Sequence, residues 1–175
     1  IAGLPGLNGS GKQALLSGIL ALPYSERHLL DTVASLLEVD FQAYLDKNRP
    51  YLTVSELKEM QEKGFTVGAH SIDHPPFAEL DESEQIRQAV ESCHFVKETF
   101  HEPAAYFSFP FSDEKINGSF FERIDSQVEL TFGITGIHSR NRGKHLGRID
   151  MEKFGKTAKI SVNRAVLKYL LGKAK

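Results

Sequence analysis

The sequence predicts an α/β fold, and three observations predict it. Apolar residues alternate with small or polar ones over Phe65–Ala69, they recur every three to four residues over Ile86–Phe100, and strand-like and helix-like stretches then follow one another to the end of the chain. Alternation of this kind calls for parallel strands with helices packed outside, because each parallel connection must cross back over the sheet. With 175 residues, 41% hydrophobic and 25% charged, the chain can bury one core.

Residues 1–12 are rich in glycine, with Pro5 and Asn8, and read as an irregular segment. From Gln13 to Asn48 the apolar spacing predicts short helices, interrupted at Pro23 and near Asp40. Residues 1–50 are therefore expected to be an irregular and helical N-terminal segment, and residues 51–175 the α/β domain. Thr53 with Glu56 makes a capping box, Val54, Leu57 and Met60 share one helical face, and Gly64 stops the helix after Lys63. A strand over Phe65–Ala69 then ends at His70. Asp81 and Glu84 cap the next helix, whose apolar face is Ile86, Val90, Cys93, Val96 and Phe100, and Pro103 ends it. Cys93 reads as a core thiol. Ala104–Phe109 is a short aromatic strand closed by Pro110, which offers no ladder donor. After a turn with Asp113, Asn117 and Gly118, the pattern predicts a helix over Phe120–Ile124, strands over Val128–Ile134 and Leu146–Ile149, and a closing amphipathic helix over Ile160–Leu171.

Charge and composition exclude several classes. A net charge of −2, with no block of like charge, supplies no positive field for a nucleic-acid backbone. The longest early apolar run, Ala14–Leu22, is shorter than the roughly 20 residues a membrane span needs, so no transmembrane segment is expected. The glycine-rich start also argues against reading that run as a signal-peptide core. One cysteine forms neither an internal disulfide nor a multi-cysteine zinc site, and it leaves the compartment open. Gly6–Lys12 has the glycine and lysine spacing of a phosphate-binding loop. Gln13 stands where a hydroxyl should meet magnesium, however, and five residues leave no room for the launching strand.

Seven histidines stand at positions 28, 70, 74, 94, 101, 138 and 145. Only His70 and His74 have a ligand spacing beside a strand end. One helical turn after the strand would point both imidazoles the same way, so that they share one divalent metal ion. Zinc, cobalt, nickel and iron all suit imidazole. Ser71 stands where a zinc peptidase carries its glutamate base, which disfavours a peptidase. Parallel α/β folds gather their sites at the carboxyl ends of strands, so the loops His70–His74, Phe109–Asp113 and Thr135–His138 are expected to face one mouth.

Three stretches, Leu52–Met60, Gly64–Pro75 with its His70-Ser71-Ile72-Asp73-His74 core, and Tyr106–Phe111, together resemble polysaccharide deacetylases of the NodB-homology type. The resemblance runs from about Leu52 to Glu152, with weaker matches at Gly133 and Arg148-Ile149. It implies a distorted or partial (β/α) barrel and one divalent metal ion, zinc by expectation, held by His70 and His74. It implies too that Ser71 steadies the loop and that Phe109, Pro110 and Phe111 wall a groove for an acetylated carbohydrate. The implied reaction is hydrolysis of an acetyl group from a sugar, with His138 as the candidate proton donor to the leaving amine. The family's Asp-Asp pair, which supplies a third ligand and the base, has no counterpart here, and Ser108 and Ser112 replace its usual arginine and glycine. A βα unit takes roughly 30–40 residues, so the chain holds about four or five units. Both shortages concern the beginning, and the expectation is an upstream strand in the natural protein that carries the aspartates. The alternative is a catalytically silent carbohydrate-binding domain of the same fold.

Overall fold

The computed structural model describes residues 11–134, 136–137, 143–149, 151 and 157–172. Its contacts divide the chain into two units, Ile1–Glu56 and Leu57–Lys175. The first unit contains α1 (Lys12–Leu20), a 3-10 turn at Tyr24–Glu26, α2 (Leu29–Leu36) and α3 (Phe41–Asn48). The breaks fall where backbone chemistry requires them. Pro23 precedes the 3-10 turn, and the Asp40 carboxylate accepts the Ala43 N–H at 2.9 Å as the N-cap of α3. Val33 and Ala34 are the buried apolar residues of this unit. Helix α4 (Val54–Glu62) crosses the division, and its N-terminus is the expected capping box. Glu56 accepts the Thr53 N–H at 2.7 Å, and Thr53 Oγ1 accepts the Glu56 N–H at 3.2 Å.

The second unit carries a three-stranded parallel sheet in chain order, β1 (Tyr106–Ser108), β2 (Leu130–Gly133) and β3 (His145–Gly147), with α5 (Glu82–Phe100) before β1, α6 (Gly118–Ile124) between β1 and β2, and α7 (Ala158–Leu170) after β3. Registers pair Phe107 with Thr131 and Thr131 with His145. The α/β class and the parallel pairing are thus present, as an open sheet rather than a closed barrel among the described residues. The expected strand over Phe65–Ala69 is reduced to one bridge. Ala69 donates to the Tyr106 carbonyl and accepts from the Ser108 N–H, which sets it parallel to β1 on the free edge. The reason lies one step earlier: the Val67 N–H is taken by the buried Glu102 carboxylate at 2.9 Å, itself bonded by Gln61, so no ladder extends there.

The core is aromatic. Phe77, Phe107, Phe109 and Phe120 are all fully buried, and Phe109 meets Phe77 and Phe107 edge-on at ring separations of 5.3 and 5.1 Å. Cys93 lies in the same cluster, and burial pushes its thiol up to about 12, which keeps it protonated and inert. Helix α5 turns the face of its apolar period toward the core, with Cys93 and Phe100 buried, but polar residues share the innermost stripe. Its buried residues are Gln85, Gln88, Ala89, Ser92, Cys93 and Phe100, whereas Ile86, Val90 and Val96 pack as its partly buried margin. The polar members are admitted because they are bonded: Gln85 donates to the Phe77 and Leu80 carbonyls, and Ser92 to that of Gln88. Truncating Phe120 to alanine should destabilise the second unit by about 3–5 kcal/mol, because it removes a fully buried ring and leaves a cavity in the core. A urea midpoint within error of the parent chain would show that the rings are not the core.

Candidate functional site

The loop after the Ala69 bridge is not the helical turn expected from the histidine spacing. Ser71 and His74 both take left-handed backbone angles, φ 72° and 55°, and Phe111 on the neighbouring loop has φ 53°. Such angles in residues with a Cβ are costly and persist only where the surroundings enforce them. Here the enforcement is visible. The His74 N–H donates to Ser71 Oγ at 3.0 Å, closing a small polar turn, and the Ile72 N–H donates to Gln88 Oε1 at 2.9 Å. The chain therefore brings the two rings together by a kinked loop instead of a helix face.

The imidazoles nevertheless converge. Their Nε2 atoms lie 3.1 Å apart, and both residues are exposed. His70 Nδ1 is 2.7 Å from the Ser108 carbonyl oxygen, which can only accept. The proton of a neutral His70 ring therefore sits on Nδ1, and its Nε2 lone pair is turned toward His74. A separation of 3.1 Å is one that two ligands of a single first-row ion take at metal–nitrogen distances of about 2.0–2.1 Å. The donor set fits a divalent ion in type, and His70 fits it in tautomer as well. It fills two positions, since among the described residues no group of three or more His, Cys, Asp or Glu side chains gathers anywhere.

The aromatic-proline turn divides by burial. Phe111 is 57% exposed, with its ring centroid 4.8 Å from that of His74, so it presents an apolar face beside the histidine pair. Phe109 and Pro110 are fully buried and cannot line a groove in this arrangement; they anchor the turn in the core. His138 lies outside the described residues, as do Thr135 and residues 1–10. Ser108 contributes through its carbonyl, and Arg148 joins the strand ends by donating to the Phe109 carbonyl and to the Gly133 carbonyl, each at 3.2 Å.

Beneath the turn is a buried polar chain that local spacing did not reveal. Asp113 accepts from His145 Nε2 at 3.0 Å and from the Ile134 N–H at 2.7 Å, while His145 Nδ1 faces Thr131 Oγ1 at 2.8 Å. The carboxylate can only accept, so His145 carries its proton on Nε2 and, in the neutral ring, the Thr131 hydroxyl donates to Nδ1. This arrangement also explains Gly133, where a Cβ would come within 2.2 Å of the Asp113 carboxylate. All three side chains are buried, and the chain ties the loop after Phe111 to β2 and β3. Thr131 and His145 are register partners, but Asp113 is 32 residues from His145 in sequence, and no periodicity links them.

A family model for polysaccharide deacetylases matches residues 33–131, more than half of the chain. The chain belongs to the polysaccharide deacetylase family. No curated protein and no solved structure matches it. The matched stretch includes the histidine loop and the whole of the aromatic-proline turn.

Burial alone would raise the Asp113 carboxyl, but the hydrogen bonds from His145 and the Ile134 N–H outweigh it and hold it down at about 2, from an ordinary 3.8. A carboxyl depressed in the folded state stabilises above its unfolded value, and that contribution is lost as pH falls from about 3.8 toward about 2. Asp113→Asn should therefore flatten the acid limb of stability against pH, besides costing about 1–3 kcal/mol at neutral pH. Denaturant titrations at several pH values decide it; an unchanged acid limb counts against this role.

Proposed function

We propose that this chain is a metal-dependent hydrolase that removes acetyl groups from an acetylated sugar or polysaccharide, with His70 and His74 as two ligands of one zinc ion. The observation that carries the reading is the convergence of the two Nε2 atoms at 3.1 Å, with the His70 tautomer set by the Ser108 carbonyl, inside a stretch of deacetylase family sequence. We further propose that residues 51–175 are the deacetylase domain and that its parallel sheet is part of a (β/α) barrel. A bound divalent ion supplies Lewis acidity toward an acetyl carbonyl and a water of lowered pKa.

The residues of this chain hold and shape that site. Ser108 orients His70, and the Ser71 hydroxyl holds the turn from which His74 projects. Phe111 offers its exposed ring to the apolar face of a sugar, supported from below by Phe109 and Pro110. His138 is assigned the protonation of the leaving amine. Hydrolysis also needs a carboxylate base, and none gathers with the histidine pair among the described residues. That observation favours the second reading, a carbohydrate-binding domain that keeps the fold and is catalytically silent.

Acetate release from acetylated chito-oligosaccharides separates the two. Release that a chelator abolishes and zinc restores supports the hydrolase; tight oligosaccharide binding with no acetate supports the silent domain. His70→Ala and His74→Ala should each weaken zinc binding by more than the ~10–100-fold typical of losing a supporting partner. Zinc uptake unchanged in both variants overturns the metal assignment. Phe111→Ala should raise KM or the oligosaccharide Kd several-fold without altering zinc affinity, as expected for a stacking surface.

A further inference from the structure

We propose that Gln88, on the inner face of α5, is the positioning residue of the His70–His74 loop, and that its amide is required as an amide. The proposal rests on the reading of His70 and His74 as metal ligands. Gln88 is fully buried, and each end of its side chain has partners. Its Oε1 accepts the Ile72 N–H at 2.9 Å, and its Nε2 donates to Asp73 Oδ1 at 2.5 Å and to Glu84 Oε1 at 3.0 Å. Both N–H groups are thereby used, and the carbonyl oxygen is used as well.

The two residues it holds, Ile72 and Asp73, lie between the two histidines. On either side of them stand the left-handed residues Ser71 and His74, an unfavourable backbone that needs external support. Ser71 supplies some of that support from within the loop, and His70 is tied to β1 through Ser108. Gln88 is the tie from α5, and it holds backbone and side chain at once. Removing it frees the middle of the loop and lets the Nε2 atoms part, although neither histidine touches Gln88 in the contacts described.

The surroundings also select among side chains. Two carboxylates, Asp73 and Glu84, face the nitrogen end of Gln88, and Glu84 is held ionised by Arg87, which drives it down to about 2. Glutamate at position 88 would keep the acceptor for Ile72 but set a third carboxylate against two others. Leucine would keep the volume and leave the Ile72 N–H without its Gln88 acceptor. The amide alone serves both ends.

The test measures zinc affinity of the full chain by competition with a chromogenic chelator, well below the melting temperature. Q88L and Q88E should each bind zinc about 10–100-fold more weakly than the parent, the range for outer partners of metal ligands. The exchange variant Q88E/D73N returns a donor to the pair and should recover most of the Q88E loss. A core control away from the loop, I124A, should lower the melting temperature and leave zinc affinity unchanged, which a merely structural role for Gln88 would not distinguish. Parent-like affinity in Q88L and Q88E, absence of recovery in Q88E/D73N, or an equal loss in I124A overturns the proposal while the metal reading stands. A parent chain that takes up no zinc overturns both, and the two failures are therefore told apart by the parent alone.

Discussion

A short parallel sheet leaves backbone N–H and C=O groups without ladder partners at its ends, and in this chain side chains answer them. Glu102 takes the Val67 N–H before the Ala69 bridge, Asp113 takes the Ile134 N–H after β2, and Arg148 donates to the carbonyls of Phe109 and Gly133. Each is a charged side chain recruited from a distant part of the sequence to a strand end. Unpaired buried backbone groups cost as much as lost hydrogen bonds, so the positions of these partners decide where each strand stops and how the following loop leaves the sheet. The loops in question are those that carry the histidines and the aromatic-proline turn.

The candidate site is built by the same device carried one step further. Above the aromatic core, the exposed groups are the two imidazoles and the Phe111 ring; below them each supporting contact is polar and specific. Ser108 sets a tautomer, Ser71 and Gln88 hold a kinked loop, and Asp113 with His145 fixes the turn that carries Phe111. Left-handed backbone at Ser71, His74 and Phe111 concentrates strain at this one place. That strain is tolerated because the fully buried phenylalanines beneath make the platform rigid. Membership of the polysaccharide deacetylase family gives the arrangement a carbohydrate context.

Much of the fold was legible from local chemistry. The Thr53–Glu56 box, the Asp81 cap, the stop at Gly64 and the breaks at Pro23 and Asp40 are all interactions within a few residues, so residue type and spacing specify them. The histidine pair was legible as a spacing beside a strand end, but the meeting of the rings rests on a kinked loop held by Ser71, Ser108 and Gln88. What spacing misjudged was the route, since a helical turn was expected and a kinked loop formed. It also overestimated the strand at Phe65–Ala69, because a carboxylate 35 residues away competes for the Val67 N–H. On α5 the apolar period found the inward face, including the buried Cys93 and Phe100, but not that Gln85, Gln88 and Ser92 would be buried beside them.

The sequence by itself determined the α/β alternation, the caps of the helices and the choice of His70 and His74 as the pair to watch, since these depend on residue type and spacing within a neighbourhood. The tertiary structure alone decided that Phe109 and Pro110 go inward while Phe111 faces out, that Asp113 meets His145, and that Gln88 reaches the loop. Burial and hydrogen-bond satisfaction of a polar side chain depend on which distant segment arrives beside it, and that information is not carried by any local period.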